Sequence, residues 1–324
     1  MDARTPTTGH DVVPRMFIEL SAALALLASV CSALQTLSVE YGLENGEYTG
    51  RESPALAATV VTIVVSVVVF WILLAVRGVE LAGVSIRGMA PFVVAGLLNP
   101  AAFRVLYFRG IGRVGARVAA AVVGANPAVA ALLAVPLLGE SFTPATGIGL
   151  SCIVIGGIVL QGARTDEAAS EDLLIEEFSR VNVRDLLFPV VAMVLLGVSF
   201  VLVAIGLNRI DDPLFGTAVG QTAALVAFLA LFGVSGAARS GVQVRDPLAL
   251  AAFTLAGVFV AGNWLAWFSA LQLGTVITVI PLSNVAPLVV VVISYVLVRQ
   301  VPRSPRILSG IVSVVLGASL MQIG

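Results

Sequence analysis

Lysine is absent from this chain of 324 residues, and all 18 basic side chains are arginine. No function follows from that by itself. Histidine occurs once, at His10 in a polar N-terminal stretch, so no apolar segment carries one. Only two cysteines are present, Cys31 and Cys152, and both fall inside apolar runs. Neither a disulfide framework nor a zinc site is suggested. Charge is scarce too: charged residues make up 11% of the chain, against about 25% in soluble domains. The chain has no P-loop, no dinucleotide fingerprint and no cluster of carboxylates at ligand spacing. An intramembrane protease or transferase needs a nucleophile with its base, or a metal, and neither can be assembled. The sequence reads as a non-enzyme without cofactor, metal or nucleic-acid partner. Without a nucleotide motif it is no primary pump either.

What is plentiful is apolar surface. Hydrophobic residues reach 59%, and the mean hydropathy is +1.05 over the whole length. No soluble core hides that much, so the lipid bilayer is the solvent. Residues 1–15 form a polar tail without the features of a signal peptide. Apolar segments of the length a span needs, about 20 residues, then recur ten times. They are Met16–Ser38, Ala55–Val76, Gly88–Phe108, Ala116–Leu138, Pro144–Gln161, Leu186–Asn208, Pro213–Val234, Leu248–Leu271, Thr275–Val298 and Ile307–Met321. Only helices can make them, because backbone groups in hydrocarbon need internal partners. The one long charged stretch, 164–185, reads as a solvated linker.

The two halves repeat. A shift of 160 residues without a gap sets AFRVLYFRGIGRVGARVAAAVVGANPAV over GNWLAWFSALQLGTVITVIPLSNVAPLV. Pro127 lands on Pro287, Tyr107 on Trp267, Phe108 on Phe268 and Gly157 on Gly317. Each half holds five spans, and an odd number turns the second copy over. The expected fold is an all-α integral membrane protein: ten transmembrane helices in two inverted five-helix repeats, 16–163 and 186–323. Swapping the conformations of such halves exchanges inward- and outward-facing states.

The first repeat closes on a specific pattern, P-x-x-x-x-L-L-x-x-x-L-L-G-E-x-x-T-P, and then a glycine-rich helix. The residues are Pro127, Leu132, Leu133, Leu137, Leu138, Gly139, Glu140, Thr143 and Pro144, followed by Gly147, Gly149, Gly156 and Gly157. In this the chain resembles EamA-type members of the drug/metabolite transporter superfamily, from about Met16 to Gln322. Two departures stand out: Ser141 replaces the usual basic residue, and Arg299-Gln300 replaces Gly-Glu in the second copy. The resemblance implies a multi-pass protein of the inner or plasma membrane with both termini in the cytoplasm. Arginine placement pulls the other way. Five arginines fall in segments on the side of the termini and twelve on the opposite side, where the positive-inside rule would put the cytoplasm. The orientation implied by the resemblance is the one followed.

Polar groups at membrane depth are expensive, which makes each a functional candidate. Arg104 lies about 7 Å from Arg109 along its helix at 1.5 Å per residue, able to meet an anionic group or to snorkel outward. Tyr107 shares its face, and Asn99-Pro100 lies one turn before. The repeat mates of these residues are Trp264 and Trp267, with Asn263 beside them; such aromatics line a cavity or form an interfacial belt. Asn126 before Pro127, and Ser283-Asn284 before Pro287, fit either broken helices around a central site or glue between helices. Gln221 with Thr222 adds a polar pair in the seventh span. Glu19 is a candidate for proton coupling, or simply an interfacial acid. Glu140 reads as structural, capping or pairing within its turn, and the glycines as close-packing positions.

The expected activity is secondary transport of a small polar metabolite, an amino acid or organic anion, by alternating access. The cavity would be lined by the third, fourth, eighth and ninth helices. Multidrug export is the close alternative, and a non-transporting receptor or scaffold is the alternative of another class. The expected partners are the solute, the bilayer and a coupling ion or proton, with the protein a monomer or homodimer.

Overall fold

Short polar side chains and prolines set where the helices begin. The computed structural model describes residues 12–47, 54–78, 85–165, 182–234, 246–286, 288–290, 292–293 and 305–323. Pro287, Arg299, Gln300 and most of the expected linker lie outside the described residues. The helices are α1 Val12–Asn45, α2 Pro54–Arg77, α3 Ile86–Gly96, α4 Phe103–Val114, α5 Ala116–Gly124, α6 Asn126–Leu138, α7 Pro144–Thr165, α8 Val183–Leu207, α9 Pro213–Val234, α10 Pro247–Leu273, α11 Val276–Ser283 and α12 Pro305–Ile323. Among the described residues no strand occurs. Asp246 caps α10, its carboxylate accepting from the N–H groups of Leu248 and Ala249, with Pro247 in the first turn. Thr275 caps α11 and Asn182 caps α8 in the same way. Each supplies an acceptor to amides that the helix cannot pair internally.

Two expected spans are interrupted. The third runs through a π-helical turn, Leu97–Ala102, where Asn99 leaves helical geometry (φ −140°, ψ 117°). Pro100 has no N–H to continue the ladder. The fourth is split at Ala125 (φ −81°, ψ 4°), two residues before Pro127. Counting each interrupted span as one, seven helices among the described residues are long and apolar enough to cross a membrane, and three shorter apolar ones are Pro144–Leu160, Val276–Val290 and Leu308–Leu320. Leucines such as Leu132 and Leu187 stay exposed on the outside of the bundle, as a lipid-facing surface requires.

Packing crosses between the two halves of the chain. α1 lies along α10, where Ser21 Oγ donates to the Ala270 carbonyl at 2.9 Å. α4 lies along α8, with Gly110 against Pro189 and Arg113 paired to Asp185 at 3.1 Å. α7 meets α12 through glycines: a Cβ on Gly156 would press the Gly310 carbonyl, and one on Gly317 would press that of Gly149. At the α3–α9 crossing, a Cβ on Gly96 would collide with the carbonyl oxygen of Gly220. Lipid tails are as apolar as leucine, so close backbone approach takes over from hydrophobic burial as the force that joins helices.

Candidate functional site

The polar centre is built where helices break. At Ala125 the chain turns from α5 into α6, and Asn126 Nδ2 donates to the Val123 carbonyl at 2.8 Å. Its Oδ1 is buried and has no partner among the described residues. At the end of α11 lies Ser283, 160 residues after Val123. There Ser29 of α1 donates to the carbonyls of Leu282 and Ser283 at 2.8 and 2.9 Å. Asn284 Nδ2 donates to the Ile280 carbonyl at 2.9 Å, and Ser283 Oγ is buried and has no partner among the described residues. Both breaks thus leave a side-chain atom with unused hydrogen-bonding capacity. Such atoms are costly unless water or a ligand completes them.

α1 gathers one side of this centre. Next to Ser29, the Ala28 carbonyl accepts from Asn263 Nδ2 of α10 at 2.7 Å. Asn263 and the Leu282–Ser283 backbone are therefore joined through two adjacent residues of α1. That helix was not among the four expected to line the site, and Ser29 went unrecognised. The signal was present as a hydroxyl in the middle of an apolar span.

The aromatic candidates behave differently. Trp267 is 5% exposed and packs against Phe200, Trp264 and Phe268, with ring centroids 4.9, 5.4 and 5.0 Å away. Phe268 reaches Phe92 at 6.0 Å, so this cluster ties α3, α8 and α10 together. Trp264, only partly buried, is the member able to face a cavity.

Arg104 follows the π-helical turn by two residues. It is half-buried and makes no hydrogen bond or ion pair among the described residues. Tyr107 stacks on Phe103 at 5.5 Å and packs with Val114, Val118, Ala119 and Leu186, toward α5 and the start of α8. Gln221 is fully buried in α9, and neither its oxygen nor its nitrogen has a partner among the described residues. Beside it, Thr222 Oγ1 accepts from Trp71 Nε1 at 3.0 Å. Glu19 is exposed, ten residues before Ser29 on α1, hence about 15 Å away along the axis. No group of three or more metal-binding side chains occurs among the described residues.

Glu140 reaches out of its own turn. Its two carboxylate oxygens accept from the N–H groups of Val276 and Ile277, at 2.7 and 2.9 Å, across the halves of the chain. Burial pushes the carboxyl above its ordinary pKa, while those two donors pull it down. The start of α7, close by in sequence, is capped instead by Thr143, which accepts from the Thr146 N–H at 3.1 Å.

A family model described as the EamA-like transporter family matches residues 20–161 and again 184–323. A solved structure is 20% identical over 95% of this chain and 98% of its own, with a TM-score of 0.71, a likeness of fold. No curated protein matches.

Proposed function

The chain belongs to the EamA-like transporter family, matched twice along its length, and from that premise we propose a secondary transporter that moves a small polar solute by alternating access. Membership makes it a multi-pass membrane protein of the drug/metabolite transporter superfamily. The reading assigns ten spans, from the seven long helices and the three shorter apolar ones, in two inverted repeats of five. It is supported by the reciprocal packing of α1 on α10 and α4 on α8. The inner or plasma membrane is its location.

The observation that carries the reading is the pair of helix breaks in the two halves, at Val123–Asn126 and Leu282–Asn284, which overlap under the shift of 160 and each hold a polar atom unpaired among the described residues. Interrupted helices in corresponding positions of two halves expose backbone polar groups to a shared midplane site. Asn126, Asn284, Asn263, Trp264 and Gln221 are assigned to that site, with Arg104 and Tyr107 on its α4 side. Arg104 has no carboxylate to neutralise it among the described residues, which favours an organic anion or an amino acid carboxylate as the cargo.

Flux into liposomes tests this. Arg104→Gln removes a charge-assisted bond of about 1.5–3 kcal/mol, so uptake of anionic solutes should fall by about 10- to 150-fold. Neutral solutes should be unaffected. Unchanged uptake of both classes would remove Arg104 from the site. Binding without flux for any solute in the panel would replace transport with a receptor role.

A further inference from the structure

Five residues beyond Arg104, α4 borders a pocket of about 440 Å³ lined by Arg109, Gly112, Arg113 and Phe188. The helix turns about 100° per residue, so Arg109 lies about 140° around from Arg104 and faces a different space. Arg113 is held in the pocket wall. Its guanidinium bonds Asp185 at 3.1 Å and lies 5.8 Å over the ring of Phe188. Arg109 is exposed and has neither an ion pair nor a hydrogen bond among the described residues. Two guanidiniums against one carboxylate leave a positive charge uncompensated. Gly112 contributes room: a Cβ there would find no atom within 4 Å.

We propose that this pocket binds an oxyanion, a phosphate or carboxylate group, at a site separate from the polar centre. The volume falls within the range of small-ligand pockets, about 300–1,000 Å³. A guanidinium fork matches the two oxygens of a phosphate or carboxylate, and Arg109 has all its donors free for one. Phe188 supplies an apolar wall for whatever carries the anion. Arg109 lies five residues from the end of α4, about 7.5 Å along the axis. It also directly follows the third apolar span, Gly88–Phe108, at the edge of the hydrocarbon, where both a soluble anion and an anionic lipid headgroup arrive.

The full chain in lipid nanodiscs distinguishes these sources. In phosphatidylcholine discs, inorganic phosphate is titrated and binding followed by calorimetry. In discs containing phosphatidylglycerol and no phosphate, retained lipid is counted by native mass spectrometry. Saturable phosphate binding identifies a soluble anion, and retained phosphatidylglycerol identifies the headgroup; either supports the site. Arg109→Ala removes the free charge. Gly112→Leu fills the space from a helical position where leucine is favoured over glycine. Each should weaken phosphate binding at least tenfold, or abolish lipid retention, with thermal unfolding as in the wild type. Binding in neither arm overturns the proposal, as does binding undiminished in either variant. Arg104-dependent flux is measured separately, so failure here leaves the transport reading standing.

Discussion

Glu140→Gln breaks one of the two bonds by which the first half of the chain holds the start of α11. In the wild type, Val276 N–H meets Oε1 at 2.7 Å and Ile277 N–H meets Oε2 at 2.9 Å. Glutamine keeps one acceptor oxygen and turns an amide donor toward the second N–H. The half-buried amide left unpaired costs about 1–3 kcal/mol. The attraction between a carboxylate and the positive end of the helix, about 0.3–1 kcal/mol, is lost as well. Opposing both is the relief of removing a carboxylate that burial disfavours, the same burial that raises its pKa. The net expectation is a destabilisation of about 1–2 kcal/mol, a five- to thirtyfold change in the folding equilibrium. Thermal unfolding in one detergent at neutral pH measures it. The pH dependence has a definite sign. With the folded pKa above the ordinary 4.5, the folded chain binds more protons than the unfolded one in the interval between them. The contribution of Glu140 therefore grows as pH falls through the raised pKa toward the ordinary value, and is lost as pH rises. Glutamine has no such term, so the advantage of the wild type should widen on acidification. A variant as stable as the wild type at neutral pH would refute the capping role, and a gap that narrows on acidification would refute the burial.

Two more substitutions probe the packing beneath the site. Gly96→Ala drives a Cβ into the Gly220 carbonyl oxygen, and backbone cannot yield as a side chain does. The cost should reach the upper part of the overpacking range, about 1–3 kcal/mol, read as a lowered unfolding temperature; a variant of wild-type stability would show that α3 and α9 do not approach so closely. Ser29→Ala leaves the carbonyls of Leu282 and Ser283 without their hydroxyl donor. A loss of about 1–2 kcal/mol is expected, together with reduced flux, and wild-type stability in unfolding curves would mean that water serves the break equally well.

Much of the fold was legible because its causes are local. Pro100 and Pro127 lack the N–H that a helix ladder needs, and the chain is interrupted beside both, whereas Pro91, Pro136, Pro189 and Pro281 lack it too and lie inside continuous helices. Gly156, Gly310 and Gly317 stand at helix contacts, as small residues in apolar segments suggest, whereas Gly157 faces open space and serves no such contact. The extent of the helices was less legible: α1 runs on to Asn45 and α4 to Val114, past the apolar stretches that marked them. A helix carries its hydrogen bonds beyond the hydrocarbon, while hydropathy sees only the hydrocarbon.

Partners were not legible. Glu140 was expected to serve its own turn and instead bonds α11, 136 and 137 positions away. Trp267 and Trp264 sit three residues apart, yet one is enclosed by Phe200, Trp264 and Phe268 while the other keeps an open side. Ser29 gave no sign of whose carbonyls it would reach. By itself, then, the sequence determined a membrane protein and a twofold repeat, since composition and period are properties of the chain, and it offered the prolines among which the helix breaks fall. Only the tertiary structure decided which residues meet at those breaks and where an arginine is left without a partner. Hydrogen bonds and close contacts depend on distances between segments that sequence separation does not encode.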